Sequence, residues 1–170
     1  VQFTPVAHNA ERPDGLDVVE FYIQTNPGEA AKPLAKIASG GELSRIMLAL
    51  KTIFAKSDGV TSIIFDEVDT GVSGRVAQAI ANKISTIATQ SQVLCITHLP
   101  QVAAMSDHEY LIQKAVADGR TKTTVTPLTQ KQRIDEIARM LAGDTVTELA
   151  LEHAGELLKM AATTRQHLRQ

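Results

Sequence analysis

Apolar residues recur along this chain in three rhythms, and each rhythm predicts a kind of element. Leu43, Ile46, Met47, Leu50, Ile53 and Phe54 are spaced by threes and fours, which predicts an amphipathic helix over 42–56. Val76, Ile80, Ile84 and Ile87 repeat that spacing and predict a helix over 74–89. Two more helices are predicted over 130–141 and 145–167, packing through apolar stripes against the sheet. The last opens on Thr145-x-x-Glu148, the spacing of a capping box. It carries Glu148, Glu152 and Glu156 as a solvated acidic row and places His153 on its apolar stripe as a packed residue.

The second rhythm is a short, unbroken apolar run. "TSIIF" ends at Phe65 and "QVLCIT" at Thr97. Neither alternates as a half-exposed strand would, which predicts two parallel strands buried on both faces. Roughly 25 residues separate them, enough for a right-handed helical crossover. The third rhythm is alternation. "EYLIQKAV" and "TKTTVTPL" flank "ADGR" and predict a hairpin, which follows a short helix over 101–105. Strands are also expected over 1–7 and 17–25 with a turn at "ERPDG", and "NPGEAAKPLAKIA" reads as a loop with two prolines.

Composition changes this picture little. The 170 residues suit one domain or one large piece of a domain, and 44% of them are hydrophobic, enough for a core. No run approaches the roughly 18 apolar residues of a membrane span. The segment "VQFTPVAHNAERPDG" has neither the basic start nor the apolar middle of a signal peptide. Cys95 is the single cysteine and sits in an apolar run as a core residue, so no disulfide is expected and a reducing cytoplasm is the expected location. With a net charge of −2, 4% aromatics and no Trp, the chain shows no basic stripe or stacking platform. Most contact with nucleic acid is therefore expected to lie outside these residues.

Candidate chemistry gathers at the ends of the two apolar strands, where open α/β sheets place their ligands. Asp66 and Glu67 follow the first strand. One carboxylate there can hold Mg²⁺ directly or through water, and its neighbour can position or deprotonate a water. Taken alone, the pair also reads as a strand end that caps the next helix. His98 follows the second strand and, alone, reads more readily as a structural histidine. Zinc is not expected, because the five histidines are scattered and there is one cysteine. In "TGVSG" the residue two after Ser73 is Arg75, not Gly, so a nucleophile elbow fails and Ser73 reads as a helix N-cap or turn residue. In "SGGELSR", Ser39-x-x-Glu42 has capping-box spacing, but capping does not ask for both Gly40 and Gly41. Two glycines leave the helix entrance without bulk, so an anion such as phosphate can approach its bare N–H groups. No P-loop is present, since Gly-Lys occurs nowhere in the chain, and there is no G-x-G-x-x-G.

In order and spacing, "SGGELSR", "IIFDEVDTGVSG" and "VLCITHLPQVAA" resemble the C-terminal lobe of an ABC-type ATPase head. More narrowly they resemble the RecN family of bacterial DNA-repair ATPases related to SMC proteins, densely from Leu34 to Lys114. The resemblance implies an α/β fold spanning 1–170 as a single lobe of a P-loop ATPase head, a parallel-strand core with flanking helices and additional antiparallel strands. It implies that Ser39, Gly40, Gly41 and Glu42 form the signature that meets the γ-phosphate of ATP held by a second head. Ile63, Ile64, Phe65 and Asp66 become the Walker B strand, with Asp66 holding Mg²⁺ mainly through water. Glu67 becomes the catalytic carboxylate and His98 the switch histidine. Asp69, Thr70, Gly71, Val72, Ser73 and Gly74 become the D-loop, which packs against the other head.

The implied partners are an N-terminal lobe of the same head, a second head in a homodimer, and DNA in the full-length protein. The P-loop, the Q-loop and a long coiled coil belong to the implied remainder, so the chain alone is expected to be inactive toward ATP. Two other readings stand beside this one: a nucleotide-independent assembly module, and a self-contained Mg²⁺-dependent phosphatase or nuclease-like domain on Asp66, Glu67 and Asp69. Many such sites use D-x-D where this chain has D-E-V-D.

Overall fold

Parallel pairing of the two apolar runs organises the molecule. The computed structural model describes residues 2–5, 17–24, 27–36, 39–54, 59, 61–117, 119–143 and 145–169. In chain order these form β1 (Gln2–Pro5), β2 (Asp17–Glu20), β3 (Tyr22–Ile23), β4 (Lys32–Pro33), a 3-10 turn (Leu34–Lys36) and α1 (Gly40–Phe54). Then come β5 (Ser62–Phe65), α2 (Gly74–Ile87), β6 (Gln92–Cys95), α3 (Pro100–Ala104), β7 (Tyr110–Ala117), β8 (Arg120–Pro127), α4 (Gln130–Ala142) and α5 (Glu148–Leu168). β5 and β6 run parallel, Ser62 opposite Gln92 and Phe65 opposite Cys95, with α2 as their crossover. β7 and β8 form the expected antiparallel hairpin.

The parallel pair is covered on one face only, which corrects the expectation of burial on both. Successive side chains of a strand point to opposite faces. Ile63, Phe65, Val93 and Cys95 turn toward the core, while Ile64, Leu94 and Ile96 stand 67%, 47% and 51% exposed. The core lies between the inner face and the helices. Leu48 of α1, Phe65, Val68, Ile80 and Ile87 meet Val102 of α3, Met105 just after it, Ile137 of α4 and Leu158 of α5. Buried alanines at 81, 104, 138, 154 and 161 allow these helices to approach closely.

Several elements differ from expectation for local reasons. In α1 the buried apolar residue is Leu48, whereas the row Leu43, Met47, Leu50, Ile53 and Phe54 faces outward. In α2, Val76 is likewise exposed, and Ala77, Ile80, Ala81 and Ile87 face the core. The strand expected over 17–25 breaks at Phe21, whose carbonyl accepts the Leu34 N–H at 2.7 Å, and the loop after it contains β4 and the 3-10 turn. α5 starts at Glu148, and its cap is Thr147, whose Oγ accepts the Ala150 N–H at 3.2 Å, so Thr145 does not cap it. His153 is exposed rather than packed. α4 and α5 pack on each other and on α2 and α3, not chiefly on the strands. Residues 1, 6–7, 11–15, 25 and 55–56, which include the expected "ERPDG" turn, lie outside the described residues.

α4 begins with a complete capping box that the periodicity did not reveal. Thr129 Oγ accepts the Gln132 N–H and Gln132 Oε1 accepts the Thr129 N–H at 2.9 Å. One turn on, the guanidinium of Arg133 is buried. It donates through Nε to Glu109 Oε2 at 3.1 Å and through Nη2 to Ser106 O at 3.0 Å, tying α4 to the segment before β7. Among the described residues Glu109 Oε1 is buried without a hydrogen-bond partner, and burial pushes the Glu109 carboxyl up although Arg133 pulls it back in part. Beside this pair, Arg165 of α5 donates to Ala104 O at 2.9 Å.

Candidate functional site

Three segments meet beyond the C-terminal ends of β5 and β6: the entrance of α1, the turn 66–73 and the loop 96–99. Helix α1 is fastened to the turn by its own polar residues. Ser44 Oγ donates to Asp66 O at 2.9 Å, and Arg45 Nη1 donates to Thr70 O at 3.0 Å and Val68 O at 3.4 Å. Ser39 sits at the N-cap of α1, its Oγ accepting the Glu42 N–H at 3.4 Å and its carbonyl the Leu43 N–H at 3.1 Å.

The two glycines have a use inside the chain that spacing could not show. A Cβ on Gly40 would lie 2.6 Å from Glu67 Oε2, and one on buried Gly41 would lie 3.1 Å from both the Glu67 carbonyl oxygen and Arg45 Nη1. Bare backbone at the start of α1 therefore lets the helix seat on Glu67. Glu67 is the one non-glycine residue with positive φ among the described residues, at 57°. This conformation costs roughly 1–2 kcal/mol outside glycine and here bends the chain so that its carboxylate reaches α1.

The two glycines should thus respond differently to a methyl group. Gly40→Ala meets only the mobile end of Glu67, so stability should stay within about 0.5 kcal/mol of the parent while the Glu67 carboxylate is displaced. Gly41→Ala meets backbone and should cost about 1–3 kcal/mol, the range for overpacking. Thermal melts of the two variants check this, and equal losses would remove the distinction.

The loops after β5 and β6 are joined through Asp69. Its side chain is 2% exposed, and Oδ2 accepts the Thr97 hydroxyl and, at 3.2 Å, the backbone N–H of His98. Thr97 Oγ in turn accepts the Leu99 N–H at 3.0 Å. Asp69 thus turns inward, whereas Thr70, Gly71, Ser73 and Gly74 of the same turn are exposed and Val72 is half-buried. Ser73 occupies the N-cap position of α2 without a side-chain capping bond. His98 itself points out, 69% exposed.

Asp66 and Glu67 are both exposed at the end of β5. No group of three or more metal-binding side chains occurs among the described residues. A lone exposed carboxylate suits Mg²⁺, which keeps several waters and takes one or two carboxylates together with substrate phosphates. Cys95 lies on the inner face behind this edge. Burial first, then the charges of Asp69 and Asp66, push its thiol up to about 12.

Sequence reasoning placed Ser39, Gly40, Gly41, Asp66, Glu67 and His98 here. It missed Ser44, Arg45 and Thr97, whose signal was a polar residue at an otherwise apolar helix or strand position.

No protein-family model matches the chain. Curated relatives do. It is 63% identical over 154 residues to DNA repair protein RecN of Halalkalibacterium halodurans, covering 91% of this chain and 27% of the relative. RecN of Bacillus subtilis is 63% identical over 147 residues, with 86% and 26% covered. RecN of Treponema pallidum is 47% identical over 154 residues, with 91% and 27% covered. The chain thus spans about a quarter of the length of the curated relatives it matches. A solved chain from work on "Structural biochemistry of ATP-driven dimerization and DNA stimulated activation of SMC ATPases" superposes with a TM-score of 0.42 at 20% identity, covering 74% of this chain and 83% of that one. That likeness is too distant to carry an argument.

Proposed function

The chain belongs to the RecN family of DNA repair proteins, and from that premise we propose that it is the C-terminal lobe of an ATP-hydrolysing head. In this reading the head acts in bacterial double-strand-break repair and recombination, in the cytoplasm, and works as a dimer. The observation that carries the proposal is the gathering of the α1 entrance, Asp66, Glu67 and His98 at one edge of a parallel pair whose outer face is apolar and open. An N-terminal lobe bearing the P-loop covers that face and supplies the missing phosphate cradle.

Within the closed head each residue has a definite task. Ser39 and the first N–H groups of α1 face the terminal phosphate of a nucleotide on the other head, where donors favour the charge that gathers during transfer. The exposed turn Thr70 to Gly74 is the surface that meets that head. Glu67 orients the attacking water and takes its proton. His98 is the switch histidine that senses the γ-phosphate. Mg²⁺, when bound, neutralises charge on the phosphoryl oxygens, and Asp66 is the residue that would hold it, mainly through water. DNA contact falls chiefly on the rest of the protein, given the net charge of −2.

The test is ATP hydrolysis with Mg²⁺ by this chain alone and mixed with an N-terminal lobe. Silence alone and activity in the mixture is the expected result. Hydrolysis by the chain alone would overturn the half-site reading. An assembly that forms equally well without nucleotide and never hydrolyses it would favour a pure docking module, for which the outward apolar row of α1 is the specific support.

A further inference from the structure

We infer that Asp69 is a positioning residue for His98, fixing both the direction of the ring and the nitrogen that carries its proton. Its value to turnover rests on the proposed ATPase function, but its geometry does not. A buried carboxylate is costly unless hydrogen-bonded, and Asp69, 2% exposed, spends Oδ2 entirely on the loop after β6. That oxygen accepts the Thr97 hydroxyl and the His98 backbone N–H, and it stands 3.6 Å from His98 Nδ1. Oδ2 already acts as an acceptor toward the Thr97 hydroxyl and the His98 N–H, so the imidazole nitrogen that faces it presents its proton. Nε2 is left on the outward side of a ring that is 69% exposed. A neutral imidazole in water carries its proton mainly on Nε2, so Asp69 reverses the ordinary preference. The same side chain links the turn carrying Glu67 to the loop carrying His98.

The experiment is an ¹⁵N spectrum of the full chain labelled at histidine, recorded on the neutral rings, with His98 among the five histidines identified by the signal lost in His98→Gln. The expected result is a protonated Nδ1 at His98. Asp69→Ala should return it to the Nε2–H form, whereas Thr97→Val, which removes the other side-chain partner of the same oxygen, should not. A wild-type His98 already in the Nε2–H form would overturn the inference without any variant, even if Asp69→Ala fails to fold. So would an equal shift in Thr97→Val, which would mark Asp69 as a mere loop tie. An assembled head without ATPase activity would instead remove the proposed function, and the ring spectrum would still decide the role of Asp69 toward His98.

Discussion

Glu67→Gln in the assembled head will slow ATP turnover by about 10²–10⁴-fold, the usual loss when a general base is removed, while nucleotide binding stays near that of the parent. The substitution keeps the size and shape of the side chain. It also keeps the positive-φ backbone at 57°, the turn bond from Thr70 N–H to the Glu67 carbonyl at 3.2 Å and the seat against Gly40. What it removes is the capacity to accept a proton from water. Asp66 is untouched, so the carboxylate assigned to Mg²⁺ remains. Single-turnover hydrolysis measured beside nucleotide binding separates the two effects. Turnover within twofold of the parent would take Glu67 out of the role.

Arg133→Ala will destabilise the chain by about 3–5 kcal/mol, because breaking one side of a buried ion pair strands the other charge. Glu109 already has one buried oxygen without a partner among the described residues, and Arg133 supplies the hydrogen bond to the other. The loss should depend on pH in a defined direction. Burial holds the folded Glu109 carboxyl above its ordinary value of 4.5. Its contribution to stability is therefore present below that pH and fades as pH rises through the folded value. Without Arg133 the folded value rises further, so the gap between parent and variant should be widest at neutral pH and narrow on acidification. Denaturant melts at pH 7 and near pH 4.5 would show this. A gap independent of pH would mean that lost packing, not the stranded carboxylate, causes the instability.

Much of the fold was legible because unbroken apolar runs and three-and-four spacing leave few alternatives. The parallel pair, its crossover helix and the hairpin all lie where those rhythms place them. Which face is covered was not legible, since pattern reports apolarity and not the neighbour that hides it. Ile64, Leu94 and the α1 row at Leu43 and Met47 read as core yet stand exposed. Of the candidate site, the residues at strand ends were readable because a strand's end has a fixed place in a sheet. The contact of Gly40 with Glu67 joins positions 27 residues apart, counted from 40 to 67. No spacing rule sees it. The inward turn of Asp69 was hidden for the same reason, its partners Thr97 and His98 being contributed by the loop after β6.

The wall behind the site has a redox consequence. Peroxides and alkylating agents attack a thiolate rather than a thiol. With its pKa pushed up to about 12, Cys95 stays in the unreactive thiol form at pH 7. The sole sulfhydryl of the chain is thereby protected chiefly by its burial and, after that, by the charges of Asp69 and Asp66. This segment therefore presents no readily ionised thiol to an oxidant.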